Sequence, residues 1–151
     1  MTITTPGHAA TTPAPGGLPS IALIEPTGGY VPGACNIGPA EIARRRRSGW
    51  IGLAASLVLG VALVVLGTPS WSRLTVALPL YVAAIGFIQA RDRFCVGFAA
   101  AGLTNFEELG TVHRIDDDAA RTADRRHARG LLVRSAAIAA GGAVVFALLP
   151  I

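Results

Sequence analysis

Two thiols and a set of arginines are the side chains of this 151-residue chain with the most obvious capacity for chemistry. Cys35 precedes the run Arg44–Arg47, and Cys95 follows Arg91 and Arg93. The thiolate is the reactive form of cysteine and neighbouring cations favour it, so Arg91 and Arg93 are the residues expected to activate Cys95. A reactive pair would relay sulfur or sense redox state. Two inert interfacial thiols, kept unpaired by a reducing cytoplasm, are the simpler reading and the one favoured here. His113, His127 and the acids Asp116–Asp118 offer metal-ligating groups. On one helix, however, the two histidines would stand about 21 Å apart at 1.5 Å per residue, too far to share an ion. There is no Ser-His-Asp arrangement, no phosphate-binding glycine loop and no CxxC pair. No metal, no cofactor and no enzymatic activity are expected.

The elements that must position these groups belong to a membrane protein. Ser48–Ser72, Leu74–Ala90 and Ser135–Ile151 carry no charged residue. A bilayer core is crossed by about 20 apolar helical residues, with about 17 as a lower limit. The expected fold class is all-α, an integral membrane protein with a transmembrane helical hairpin, a third transmembrane helix and a disordered N-terminal tail. Residues 1–34, rich in Thr, Pro and Gly, form the tail, because they bury too little surface to offset their ordering entropy. Residues 35–106 hold the hairpin, with spans at 49–67 and 74–90. Trp50 and Trp71 stand at the two ends of the first span, as in an interfacial aromatic belt. Pro79 is expected to start or kink the second span. Residues 94–106 are apolar but too short to cross, which suggests an interfacial or re-entrant helix. Residues 107–130 form a polar cytoplasmic segment, read as a solvated helix with an Asp117–Arg121 i,i+4 pair. Residues 131–151 form the third span, with Arg134 reaching back to the interface. A cleaved signal peptide over 44–66 is disfavoured by the long preceding tail and by an apolar run exceeding the usual roughly 7–15 residues.

All 13 basic residues are arginine, in keeping with a GC-rich bacterial genome, and 12 of them fall on one side if the N-terminus is cytoplasmic; Arg73 alone lies opposite. That asymmetry sets an N-in, C-out orientation in the bacterial inner membrane. It also explains the net charge of +4 without nucleic acid, which is excluded as a partner.

Small residues recur every four positions at Gly52, Ser56 and Gly60, and again at Ser135, Ala139, Ala143 and Ala147. Such stripes let helices approach closely in membranes. They serve either association with another copy or partner, or packing among the chain's own helices. Within the spans the main polar groups are Ser56, Thr75, Tyr81 and Gln89. The absence of intramembrane carboxylates argues against a pump or proton-coupled carrier.

Two patches resemble a known family. Asn36, Gly38, Glu41, Arg45 and Gly49 follow the opening pattern of YgaP-like transmembrane domains, in which Asn-x-Gly, an acid, an arginine and a glycine lead into the first span. Phe94-Cys95-Val96-Gly97-Phe98, followed by Gly102-Leu103-Thr104, is similar to that family's signature after its second span. Val96 stands where the family has proline, Phe98 where it has tyrosine, and Ile42 replaces an arginine. The resemblance covers about Cys35–Phe106. It implies a two-helix membrane hairpin that tends to dimerise and is sometimes fused to a sulfurtransferase domain. The resulting expectation is a small multi-pass protein acting by helix association with itself or a membrane partner. A thiol relay through Cys35 and Cys95, or an oligomeric pore for a small anion, are the alternatives.

Overall fold

A computed structural model of the chain describes residues 29–150. Helix α1 spans Pro39–Val65 and α2 spans Ala77–Arg91, joined by a 3-10 segment at Ser70–Val76. A short helix α3, Val96–Ala101, leads into strand β1, Leu103–Thr104, which pairs antiparallel with β2, His113–Arg114. Helix α4 runs from Asp118 to Leu148. The fold is therefore mostly helical, with three helices long and apolar enough to cross a membrane.

Each helix starts and stops for local reasons. Pro39 sits in the first turn of α1, where its missing N–H removes no hydrogen bond, and Glu41 follows near the positive end of the dipole. Gly67 takes a left-handed φ of 61° just past the end of α1, and Pro69 follows. Pro79 lies in the first turn of α2. A proline ring collides with the carbonyl four residues back in an α-helix. The preceding residues accordingly wind as 3-10, so the second apolar stretch begins at Ser70–Val76 and becomes α-helical only at Ala77 rather than at Leu74. Asp117 caps α4, its carboxylate accepting from the Ala119 N–H at 2.9 Å. The ion pair in that first turn is Arg121 with Asp118, at 2.7 Å, in place of the expected Asp117–Arg121 pair, because Asp117 is occupied as the cap.

Helix α2 is central, packing against both α1 and α4, while α1 and α4 scarcely touch. The seams are lined by small groups. On α1 the buried residues are Glu41, Gly49, Gly52, Ser56 and Gly60, and on α4 they run Ala120, Asp124, Ala128, Leu131, Ser135, Ala139 and Ala143. Both runs step by three or four residues, apart from the gap between Glu41 and Gly49, so each follows one narrow helical stripe. The remaining faces expose large apolar groups such as Leu57 (68 %), Val58 (69 %) and Val145 (62 %). Water would not tolerate that much exposed hydrocarbon, and a bilayer accepts it. The densest cluster of buried side chains, Phe94, Ala99, Ala128 and Leu131, lies at the arginine-rich end, where α3 packs on α4.

Three expected segments take a different form. Of 94–106, only Val96–Ala101 is helical, because Gly102 at φ 68° ends the helix and the chain turns into β1. The polar segment 107–130 is divided: its first part forms the connection from β1 and strand β2, and its second is the start of α4, continuous with the third span. Of the expected disordered tail 1–34, residues 29–34 are instead held in place. Tyr30 Oη donates to Asp124 Oδ2 at 3.2 Å, the Gly33 N–H donates to Asp124 Oδ1 at 2.6 Å, and Val31 bridges Cys35. Residues 1–28 and Ile151 lie outside the described residues.

The α1–α2 contact is close enough to test by single methyl groups. A Cβ on Gly86 would stand 2.6 Å from the Gly49 backbone nitrogen, and one on Gly52 would stand 2.5 Å from the Ala83 nitrogen. Gly86→Ala is expected to lower stability by about 2–3 kcal/mol through overpacking. Gly141→Ala, with nothing within 4 Å of the added methyl, should be neutral or stabilising by up to about 1 kcal/mol. Denaturant titration of the detergent-solubilised chain, followed by helical circular dichroism, checks both.

Candidate functional site

The two cysteines occupy different environments beside one another along the chain's fold, and Asn36 stands between them in sequence and space. Asn36 is fully buried and makes a reciprocal pair with the Cys95 backbone. Its Nδ2 donates to the Cys95 carbonyl at 3.1 Å, and the Cys95 N–H donates to its Oδ1 at 2.6 Å. The amide side chain thus satisfies a buried backbone donor and acceptor together. The backbone of the same segment is held on both sides. The Asn36 and Ile37 N–H groups donate to the Arg93 carbonyl, the Asn105 N–H donates to the Asn36 carbonyl at 3.1 Å, and the Gly38 N–H donates to the Asn105 carbonyl at 2.7 Å. Gly38 allows this approach because a Cβ there would lie 2.7 Å from the Phe106 carbonyl oxygen.

From this clasp the start of α1 reaches back over Cys95. Arg45 Nη2 lies 2.9 Å from the Cys95 sulfur and 3.5 Å from Glu41 Oε2, which also pairs with Arg44 Nε at 3.0 Å. Glu41 is 2 % exposed and Cys95 1 %. A buried carboxylate needs such partners, since an uncompensated charge there is costly. Gln89 completes the surround by accepting from the Val96 N–H at 2.9 Å. The six residues of the family-like motif all have positions in or next to this structure. Asn36 and Gly38 form the clasp, Glu41 and Arg45 the buried charges, Gly49 the α1–α2 contact, and Gly102 the left-handed end of α3. Chemically the arrangement holds a thiol beside a guanidinium without an opening for a substrate.

Cys35 is half-buried, with a long 3.9 Å contact from its sulfur to the Ile37 carbonyl. It lines a cleft of about 690 Å³ together with Arg46, Arg91 and Arg93. The arginines expected to act on Cys95 therefore lie in the cleft of Cys35, and the guanidinium at Cys95 belongs to Arg45. The reason is the turn after α2: Arg93 takes a left-handed φ of 52°, the only positive φ of a non-glycine among the described residues, and the chain reverses before Cys95. Both cysteines are free thiols.

The small-residue stripes are engaged within the chain. Gly52 abuts Ala83, Ser56 Oγ donates to the Gly52 carbonyl at 2.8 Å, and Gly60 lies below the Phe146 ring. Ser56 and Gly60 also line an apolar groove between α1 and α4 of about 490 Å³. His113 and His127 stand on different elements, β2 and α4. His113 pairs with Glu107 at 3.1 Å, and His127 packs edge-on against Phe94 with centroids 4.5 Å apart.

Asp124 is a site residue that the sequence reading missed. It is fully buried in the polar first part of α4, outside the apolar stretch that begins at Leu131. Burial raises its pKa, opposed by the Gly33 N–H, the Tyr30 hydroxyl and His127. Burial also raises the Tyr30 hydroxyl, and the Asp124 charge adds to that. Its position in the stripe Ala120, Asp124, Ala128 was the available signal. Asp92, at the end of α2, was likewise missed. It accepts from Arg134 at 2.9 Å and faces His127 at 4.0 Å, tying α2 to α4.

No family model matches this chain, and no curated protein and no solved structure matches it.

Two outcomes follow from this geometry. Asn36→Ala strands a buried N–H and a buried C=O, and is expected to cost about 2–4 kcal/mol. It should also bring Cys95 into reach of maleimide, which in the native chain labels Cys35 and leaves Cys95 protected. For Asp124, a raised folded pKa means that its contribution is fully present below the ordinary carboxylate value of about 4 and is lost as pH rises through the folded value. Asp124→Asn should flatten that loss, as read by thermal denaturation at a series of pH values.

Proposed function

We propose that this chain is a three-span, non-enzymatic component of the bacterial cytoplasmic membrane that works by helix association, with a second copy as its partner. The observation that carries the reading is the apolar groove between α1 and α4. Its walls include Leu57, Val61 and Val64 of α1 and Phe146 of α4, and Val76 and Leu80 floor it. This is the place a fourth helix occupies in a four-helix bundle. A two-fold pair makes the fit self-complementary, because α1 lines the groove and beside it presents an exposed ridge, with Ile51 and Val58 62 % and 69 % exposed.

We place the N-terminus in the cytoplasm on the strength of the arginine asymmetry. We also propose kinship with YgaP-like domains, a reading supported by the meeting of the two motif patches around Cys95. A thiol relay is the second reading. It draws on Cys35 in its arginine-lined cleft, while the burial of Cys95 counts against a two-thiol mechanism. Ser56 is the sole polar side chain lining the apolar groove, which disfavours an anion path along it.

Cysteine crosslinking in native membranes tests the association. In a Cys35→Ser background, Val61→Cys should form an interchain disulfide under mild oxidation, and Ile138→Cys, on an exposed face of α4, should not. Equal crosslinking at both positions, or none at Val61, would reject the groove as an interface. The orientation is checked separately: an impermeant maleimide should label Cys35 in inverted vesicles and spare it in right-side-out ones.

A further inference from the structure

We propose that the cleft at the arginine-rich end of the α1–α2 hairpin binds the phosphodiester headgroup of an anionic phospholipid. Three arginines line it from separate points of the backbone: Arg46 on α1, Arg91 at the end of α2, and Arg93 in the turn beyond. Among the described residues, no acidic side chain lines the cleft. Elsewhere, Arg44, Arg45, Arg114, Arg121 and Arg134 each face a carboxylate, and among the described residues none of the three cleft arginines does.

The backbone at this point carries a second sign of a built site. Arg93 holds a left-handed conformation that costs a non-glycine residue roughly 1–2 kcal/mol. It persists because two N–H groups, of Asn36 and Ile37, are both bonded to its carbonyl. That conformation is what sets Arg93 at the cleft beside Arg91 while Cys95 turns inward.

The chemistry of the walls favours a lipid over a bare ion. Beside the arginines, Ile42, Ala43 and Ala90 add apolar groups to the lining. The volume, about 690 Å³, falls in the usual range for pockets that hold small organic molecules, about 300–1,000 Å³. Its position suits an amphiphile: the charge-free stretches of both hairpin helices begin immediately beyond Arg47 and immediately before Arg91. Basic pockets between transmembrane helices at this depth are where anionic headgroups bind. Guanidinium groups match phosphate oxygens with paired donors.

Native mass spectrometry of the full-length chain released from nanodiscs tests the proposal. The discs contain phosphatidylcholine alone or phosphatidylcholine with a minority of phosphatidylglycerol. The wild-type chain is expected to retain phosphatidylglycerol selectively. The double variant Arg46→Gln/Arg91→Gln should bind it roughly thirtyfold more weakly, at about fivefold for each of the two charges lost near a membrane surface. Arg125→Gln/Arg126→Gln removes the same charge from an exposed part of α4 outside the cleft, and should change binding less than about threefold. Circular dichroism confirms that each variant keeps its helices, as expected for exposed side chains. Equal loss in both double variants would overturn the proposal in favour of diffuse attraction. Full displacement of phosphatidylglycerol by inorganic phosphate would overturn it in favour of a free-anion site. Retention unaffected by Arg46→Gln/Arg91→Gln would remove the cleft altogether.

Discussion

The backbone of α1 lies directly against the backbone of α2 at Gly49, Gly52 and Gly86, and most of the remaining architecture depends on that approach. A Cβ at Gly86 would meet the Gly49 nitrogen and α-carbon at 2.6 and 2.7 Å, and a Cβ at Gly49 would meet the Phe87 ring at 2.9 Å. In a bilayer the usual hydrophobic drive between helices is weak, because lipid is as apolar as the side chains. Association relies on close van der Waals contact, and glycine is what permits it. The contact also has consequences outside the apolar region. One turn before Gly49, the same face of α1 carries Arg45, and one turn earlier still Glu41. Fixing α1 on α2 therefore brings a guanidinium and a carboxylate to the end of α2, where Cys95 and the Asn36 clasp lie.

The buried seam thus changes its chemistry along its length without changing its geometry. In the apolar part it is made of Gly, Ser and Ala, satisfied by shape and by backbone hydrogen bonds. At the arginine-rich end it is made of Glu41, Arg45, Asn36 and Gln89, satisfied by one another and by the backbone of residues 93–96. Helix α4 repeats the pattern from the other side, with Asp124 holding residues 30–33 and Ala139 and Ala143 packed in the apolar part. The chain leaves two openings around this seam. One is apolar, between α1 and α4, and the other is basic, between the start of α1 and the end of α2. Their contrast underlies the two proposals made for association and for lipid recognition.

The membrane class and the three spans were readable because absence of charge over a bilayer's width is a long-range signal that no local detail disturbs. Asn36, Gly38, Glu41, Arg45 and Gly49 stood out only through a resemblance; in the fold each meets a steric or hydrogen-bonding demand that few other residue types satisfy. What escaped is short-range or conformational. Strands of two residues, such as Leu103–Thr104, have no periodicity to detect. The left-handed Arg93 was invisible because arginine carries no preference for that conformation, and with it the assignment of arginines to cysteines was reversed. Residues 29–34 looked like a continuation of a Pro- and Gly-rich tail. Their order depends on Asp124, more than ninety positions away, which composition cannot supply. Asp124 falls in the three-and-four spacing of the buried face, where a charged side chain is the exception because carboxylates ordinarily occupy the solvated face.

The dependence of the Asn36–Cys95 clasp on the helix contact can be measured through the rate at which maleimide modifies Cys95 in a Cys35→Ser background, with Gly86 intact and with Gly86→Ala. If the backbone contact positions the clasp, the added methyl, more than a full turn of helix away from Cys95, should raise the labelling rate by at least about tenfold, since a loss of 1.4 kcal/mol in closure corresponds to that factor. Protection of Cys95 that survives Gly86→Ala unchanged, while the same variant loses global stability, would contradict it and place the clasp under local control of Asn36 alone.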